Sequence, residues 1–335
     1  SSAPMPNSQS VSTAQAQAQL QKAGIVTSLA SLLNARHWAS RLSLFGRHLA
    51  RNQLLGNVRS NFRGRGMEFE EVRRYQPGDD IRNIDWKVTA RADGTYTKLF
   101  REERELPCHI LVDQRANMFF GSNGMFKSVL AAEAAGGIAW AALAGGDRVG
   151  GQVLSNHGHA DSRGKRSKQA VLRFLHDIHD ANQSLLGSTT LEPTALEPTT
   201  ESSARSSLSL REGLEECQRL IRPGTALYII SDLHDFDDLC AKALVTLSKS
   251  CDVSVLQIAD PFEQNLPVRG QLGTSDGEHH ARIQFSNQLV AQYQDEQSQH
   301  LEQISAALRH AKAFYTILST EEDARKHLLR VFSDR

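Results

Sequence analysis

Three carboxylates within seven residues, Asp79, Asp80 and Asp85, have the crowding that can hold two metal ions for hydrolysis. Arg73, Arg74 and Arg82 are interleaved with them. A planar guanidinium meets a carboxylate two hydrogen bonds at a time, so the interleaving suits a structural turn better than a hydrolytic centre. The wider segment from Arg59 to Arg104 has nine Arg and two Lys against nine Asp and Glu, with the signs mixed. Such mixing makes either a solvated face or an ion-pair network, and the preference for Arg over Lys favours the network. Gly64 and Gly66 flank Arg65, and Pro77-Gly78-Asp79-Asp80 reads as a turn. No Ser-His-Asp arrangement, P-loop or G-x-G-x-x-G fingerprint accompanies these residues, so the reading is non-enzymatic. His157, His159, His176, His179, His279 and His280 are scattered, and the i, i+3 pair His176 and His179 reads as solvent-facing.

Around these acids runs Glu68-Phe69, then Arg74-Tyr75-x-Pro77-Gly78-Asp79-Asp80-x-Arg82-x-Ile84-Asp85-Trp86, then Thr89-Ala90-Arg91. This run resembles the signature of a bacterial family catalogued as domain of unknown function 58. The resemblance implies a MoxR-associated protein, typically encoded beside a MoxR-type AAA+ ATPase, that joins the signature to a von Willebrand factor A-like domain. It implies a partner and no reaction.

The elements that must position these residues follow from composition and pattern. A chain of 335 residues, 40% hydrophobic and 23% charged, holds one large α/β domain with an accessory module, or two modest domains. Its 38 basic and 38 acidic residues balance, which removes the long-range attraction a nucleic-acid or anionic-membrane binder uses. Cys108, Cys217, Cys240 and Cys251 show no C-x-x-C spacing and read as reduced, buried thiols. No stretch of 18 apolar residues exists, so no membrane span is expected. The opening SSAPMPNSQS lacks the basic and apolar regions of a secretory signal. A cytoplasmic location follows, with any place at the inner membrane reached through partners.

Residues 1–24, rich in Ser, Gln and Ala, read as a flexible tail, and 25–57 as an amphipathic helical lead that packs on the signature module or a partner. Residues 58–106 form the charged, β-rich signature module. From 107 to 335 strands alternate with helices: strands at 109–113, 149–154, 225–232, 253–258 and 314–319; helices at 127–144, 168–178, 208–221, 238–250, 287–312 and 321–332. Residues 181–207, with the tandem LEPTALEPT, read as a flexible insert. A hairpin turning at Ser275-Asp276-Gly277 is expected after residue 260. The alternation predicts a mostly parallel, Rossmann-like sheet covered on both faces, similar to the von Willebrand factor A fold.

In an open α/β sheet a ligand lies beyond the carboxyl ends of the strands, where the strand order reverses. Asp113 and Asp232 end two strands and would meet there. The resemblance to the von Willebrand A fold implies a metal-ion-dependent adhesion site at this point, with Mg²⁺ open to a partner's carboxylate. Here the loop reads Asp113-Gln114-Arg115-Ala116-Asn117: the first Asp matches, the two serines do not, and Asn117 could offer a carbonyl oxygen. Arg115 puts a fixed cation where a ligand hydroxyl belongs, a repulsion of about 4 kcal/mol at 4 Å with an effective dielectric of 20. The expectation is a degenerate site, with Arg115 paired to Asp113 or Asp232 in place of an ion and no required cofactor. The whole reads as an adaptor for a MoxR-type AAA+ ATPase and an unknown client protein, binding through Arg74, Asp79, Asp80, Arg82, Asp85, Trp86 and Arg115. The alternative is an Mg²⁺-dependent module that chelates a client carboxylate.

Overall fold

The computed structural model describes residues 18–44 (without 22), 67–102 (without 78, 80 and 92), 107–187, 208–264, 270–275 and 280–333 (without 286). The chain divides into two compact units, one of Asn57–Leu106 and one of Ser1–Gly56 with Pro107–Arg335.

Residues 18–21, inside the stretch expected to be a tail, are helical, and the Gly24 carbonyl accepts the Phe126 N–H at 2.9 Å. Two short helices follow, α1 (Leu29–Asn34) and α2 (Arg36–Ala39), the first capped by Ser28. The lead was expected to pack on the signature module or a partner; its described residues belong to the larger unit, where an apolar helix, α4 (Lys127–Ala144), receives them. Trp38 lies so close to Gly137 of that helix that a Cβ there would stand 2.3 Å from its ring. Trp140 Nε1 donates to the Leu32 carbonyl at 3.0 Å. Residues 1–17 and 45–57 lie outside the described residues.

The smaller unit is a hairpin of β1 (Met67–Arg74) and β2 (Tyr96–Glu102), antiparallel, with a one-turn helix α3 (Trp86–Thr89) in the connection.

The larger unit is a three-layer α/β/α structure on a six-stranded sheet. Its elements in order are β3 (Pro107–Gln114), α4 (Lys127–Ala144), β4 (Arg148–Ser155), β5 (Gly158–Lys165), α5 (Lys168–Gly187), α6 (Leu210–Leu220), β6 (Ala226–Ser231), α7 (Asp238–Ser248), β7 (Asp252–Ala259), α8 (Pro261–Gln264), the hairpin β8 (Gly270–Ser275) and β9 (His280–Phe285), α9 (Asn287–Ala311), β10 (Phe314–Ser319) and α10 (Ala324–Phe332). The strands lie in the order β10-β7-β6-β3-β4-β5, all parallel except the edge strand β5. Counted from β3 this is 3-2-1-4-5-6, and the order reverses between β3 and β6.

Successive residues of the central strands feed two apolar layers. Ile110, Val112, Tyr228, Ile230 and Leu256 face α4, α5 and α10, while Leu111, Leu227, Ile229, Val253 and Val255 face α6, α7 and α9. Burial on both faces is why these strands read as unbroken apolar runs. Helix α4 is buried almost all round, between sheet and lead, so it carries Ala and Gly where an amphipathic helix would carry charge.

Further sequence expectations change. Strand β5, GHADSRGK, was not foreseen; its polar residues alternate along an antiparallel edge. Residues 181–187, assigned to a flexible insert, are the last turns of α5, held by Asn182 Nδ2 donating to Gln114 Oε1 at 3.0 Å and by Gln183 Nε2 donating to the Thr27 carbonyl at 2.9 Å. Residues 188–207 lie outside the described residues.

Candidate functional site

Strand β3 ends in Asp113-Gln114, and β6 ends in Ser231 with Asp232 just beyond it. These ends flank the reversal of strand order. The loop after β6 takes an uncommon backbone: Leu233 has φ 60°, a left-handed conformation that costs a non-glycine residue about 1–2 kcal/mol. His300 Nε2 on the Leu233 carbonyl, at 2.8 Å, and the Leu233 N–H on Ser231 Oγ, at 3.1 Å, hold that turn. The strained turn aims Asp232 and Asp235 at the β3 end.

Arg115 lies at the centre, 4% exposed, and spends every N–H of its guanidinium. Nε donates to Asp113 Oδ1 at 2.9 Å and Nη2 to Asp113 Oδ2 at 2.7 Å, a two-bond fork. Nη2 and Nη1 form a second fork on Asp235, at 3.0 and 2.6 Å, and Nη1 also reaches the Leu208 carbonyl at 3.2 Å. Ser231 Oγ donates to Asp113 Oδ2 at 2.8 Å, and the Leu210 N–H at the start of α6 donates to Asp235 Oδ2 at 2.9 Å. Burial alone would favour a neutral guanidine, but the hydrogen bonds to Asp113 and Asp235 outweigh it and raise the Arg115 pKa.

A second cation, Lys127, opens α4. A positive charge at a helix N-terminus opposes the macrodipole by roughly 0.3–1 kcal/mol, so local preference did not put it there. Its Nζ donates to Asp232 Oδ2 at 2.9 Å and to Glu263 Oε1 at 2.6 Å, and stands 5.8 Å from the Phe120 ring centroid. Asp232 also accepts from Asn117 Nδ2 at 2.9 Å, from the His234 N–H at 3.2 Å, and lies 3.1 Å from His234 Nδ1. Burial would raise the Asp232 carboxyl; the His234 hydrogen bond and the Lys127 charge win, holding it well below the usual range. Burial, with the neighbouring Asp232 charge, keeps Glu263 above its ordinary value even beside Lys127.

Two expectations about this site are corrected. Arg115 pairs with Asp113, as expected, but its second carboxylate is Asp235; the alternative partner, Asp232, belongs to Lys127. Asn117 gives Asp232 an amide N–H instead of offering a carbonyl oxygen to an ion. The residues sequence reasoning missed are Lys127 and Glu263; a lysine heading an otherwise apolar helix was the one visible signal. Asp113 and Asp232 therefore each have a side-chain cation of their own. What remains toward solvent is acidic: the side chains of Asp235 and Glu263 are 25% and 34% exposed, beside a half-exposed His234. Such a surface can bind a cationic group.

In the smaller unit, Arg73 Nη2 donates to Asp79 Oδ1 at 2.7 Å, and Asp79 Oδ2 accepts the Gln76 N–H at 2.9 Å, closing the turn. The Gln76 N–H, followed by Arg73, holds the Asp79 carboxyl below its ordinary value. Arg74 Nη2 donates to the Asp93 carbonyl at 3.1 Å. Asp85 caps α3, its Oδ1 accepting the Lys87 and Val88 N–H groups at 3.0 and 3.2 Å. Asp79 and Asp85 thus hold backbone turns; Asp80 lies outside the described residues. Trp86 and Ile81 are 68% and 66% exposed, with Arg82 exposed between them in sequence.

A family model described as "Protein of unknown function DUF58" matches residues 71–303. Uncharacterized proteins of Mycobacterium bovis and Mycobacterium tuberculosis are 28% identical over 228 residues, 67% of this chain and 64% of theirs. The match thus spans less than two thirds of those relatives. A solved structure titled as an uncharacterized membrane spanning protein from Vibrio fischeri aligns with 67% of this chain and 96% of its own at 12% identity, with a TM-score of 0.22. Among the described residues, no helix is long and apolar enough to cross a membrane.

Proposed function

This chain belongs to the DUF58 family, and from that premise and the geometry above we propose that it is a non-enzymatic adaptor for a MoxR-type AAA+ ATPase and its client protein. The strand order 3-2-1-4-5-6 with an antiparallel edge supports reading the larger unit as von Willebrand factor A-like. The observation that carries the proposal is the pair of side-chain cations, Arg115 and Lys127, standing among the carboxylates where a fold of that type keeps a divalent ion. An adhesion site with Mg²⁺ captures a partner's carboxylate; with the cations built in and saturated, the part-exposed Asp235 and Glu263 select a partner's Lys or Arg instead. The solvent-facing Trp86, Ile81 and Arg82 of the signature hairpin form the other binding surface, since large exposed aromatics and arginines are the usual anchors of interfaces.

Co-purification of the full chain with a MoxR-type AAA+ ATPase is the test. Binding that survives EDTA and falls roughly tenfold or more in folded Trp86→Ala or Arg82→Ala variants supports the adaptor reading. Capture abolished by EDTA would replace it with the Mg²⁺-dependent alternative, and unchanged capture by both variants would return the hairpin residues to a purely structural role.

A further inference from the structure

We propose that the outer edge of the larger unit holds a divalent transition-metal ion of the zinc class, ligated by His159 and Asp161 of β5 and Glu216 of α6. This site is separate from the Arg115 cluster and does not rest on the adaptor reading. One ligand atom from each of the three side chains lies within 4.8 Å of the others. His159 and Asp161 are two apart on a strand and so emerge on one face, with Nε2 and Oδ2 3.0 Å apart. Zinc bond lengths of about 2.0–2.2 Å put tetrahedral neighbours roughly 3.4 Å apart, so shifts of about 1 Å close the set. The side chains are 34%, 26% and 24% exposed, which leaves them room to make those shifts.

A second observation lies under the cluster. Gln152 of β4 is the register partner of Asp161, and directly paired residues of an antiparallel ladder point to the same face with Cβ atoms about 4.5–5.5 Å apart. Gln152 is 0% exposed, and its Nε2 has no hydrogen-bond partner among the described residues, while its Oε1 accepts from Cys217 Sγ at 3.3 Å. An amide's oxygen and nitrogen occupy nearly the same shape. Turned over, Gln152 gives the ion a carbonyl oxygen and directs its NH₂ at the Cys217 sulfur, which accounts for the orphaned atom.

Asp161 and Glu216 bring like charges to one gap, a repulsion a cation relieves. Imidazole with carboxylates suits zinc, nickel or cobalt, whereas magnesium prefers oxygen ligands alone. The present partner of Glu216, Arg219 at 2.9 Å, is an exposed i, i+3 pair and a weak competitor. The bound ion would clip the edge strand to α6, whose start supplies the Leu210 N–H to Asp235.

The experiment is calorimetric titration of the metal-stripped full chain with Zn²⁺, alongside Co²⁺ absorption in the visible. The expected result is one saturable ion per chain and a thermal midpoint raised by about 5–10 °C at a hundredfold excess over Kd. His159→Ala and Glu216→Gln, on the surface and compatible with folding, weaken it about tenfold or more, and His157→Ala leaves it unchanged. No saturable binding up to about 1 mM, or binding indifferent to both His159→Ala and Glu216→Gln, overturns the proposal.

Discussion

Two arginine–aspartate pairs in this chain, Arg115–Asp113 in the larger unit and Arg73–Asp79 in the hairpin, share a 2.7 Å contact. Their surroundings differ: the side chains are 5% and 1% exposed in the first pair, 32% and 21% in the second. Water screens the hairpin pair and would solvate either partner left alone. The Arg115 pair has no such refuge, so the distance says little and the dielectric nearly everything.

The sharpest way to break this contrast is Arg115→Met, which strands Asp113 and Asp235 together. Chemical denaturation should show a loss of about 3–5 kcal/mol, and a loss below 1 kcal/mol would mean that water reaches the site. A pH series adds a second buried group. Burial lowers His109 on β3 to about 4, against 6.5 for the free residue. The unfolded chain binds this proton first, so stability should fall as pH drops from 6.5 to about 4, by roughly 3 kcal/mol in all, and His109→Leu should flatten that window. His234 has the opposite sign. Its hydrogen bond to Asp232 raises its pKa, so its contribution is complete below 6.5 and fades as pH rises through the higher folded value. In the hairpin, Asp85→Ala removes a helix cap and should cost about 1 kcal/mol. Smallest of all, Arg73→Ala should change stability by less than about 1 kcal/mol, and by less still in high salt.

The same contrast governs what could be read from sequence. Asp113 and Asp232 were legible as strand ends because buried parallel strands are continuous apolar runs, and an Asp closing such a run stands out. The Arg115–Asp113 pair was legible because it is local, two residues apart. Its other carboxylate, Asp235, is 120 positions away, and Lys127 meets Asp232 across 105, so only the closed sheet brings them together. Strand β5 escaped because an edge exposed to water needs no apolar alternation, and α5 ran past residue 181 because Asn182 and Gln183 found partners in Gln114 and Thr27 that no local pattern encodes.

The three tryptophans occupy three different settings. Trp140 is 6% exposed and tied to the Leu32 carbonyl, Trp38 is pressed on Gly137, and Trp86 stands 68% in solvent. The chain therefore carries its own optical gauge. With Trp86 changed to Phe, the remaining emission comes from the seam between the lead and α4 and should shift to longer wavelength when that seam opens. Any binding event that peels the lead away could then be followed without a dye.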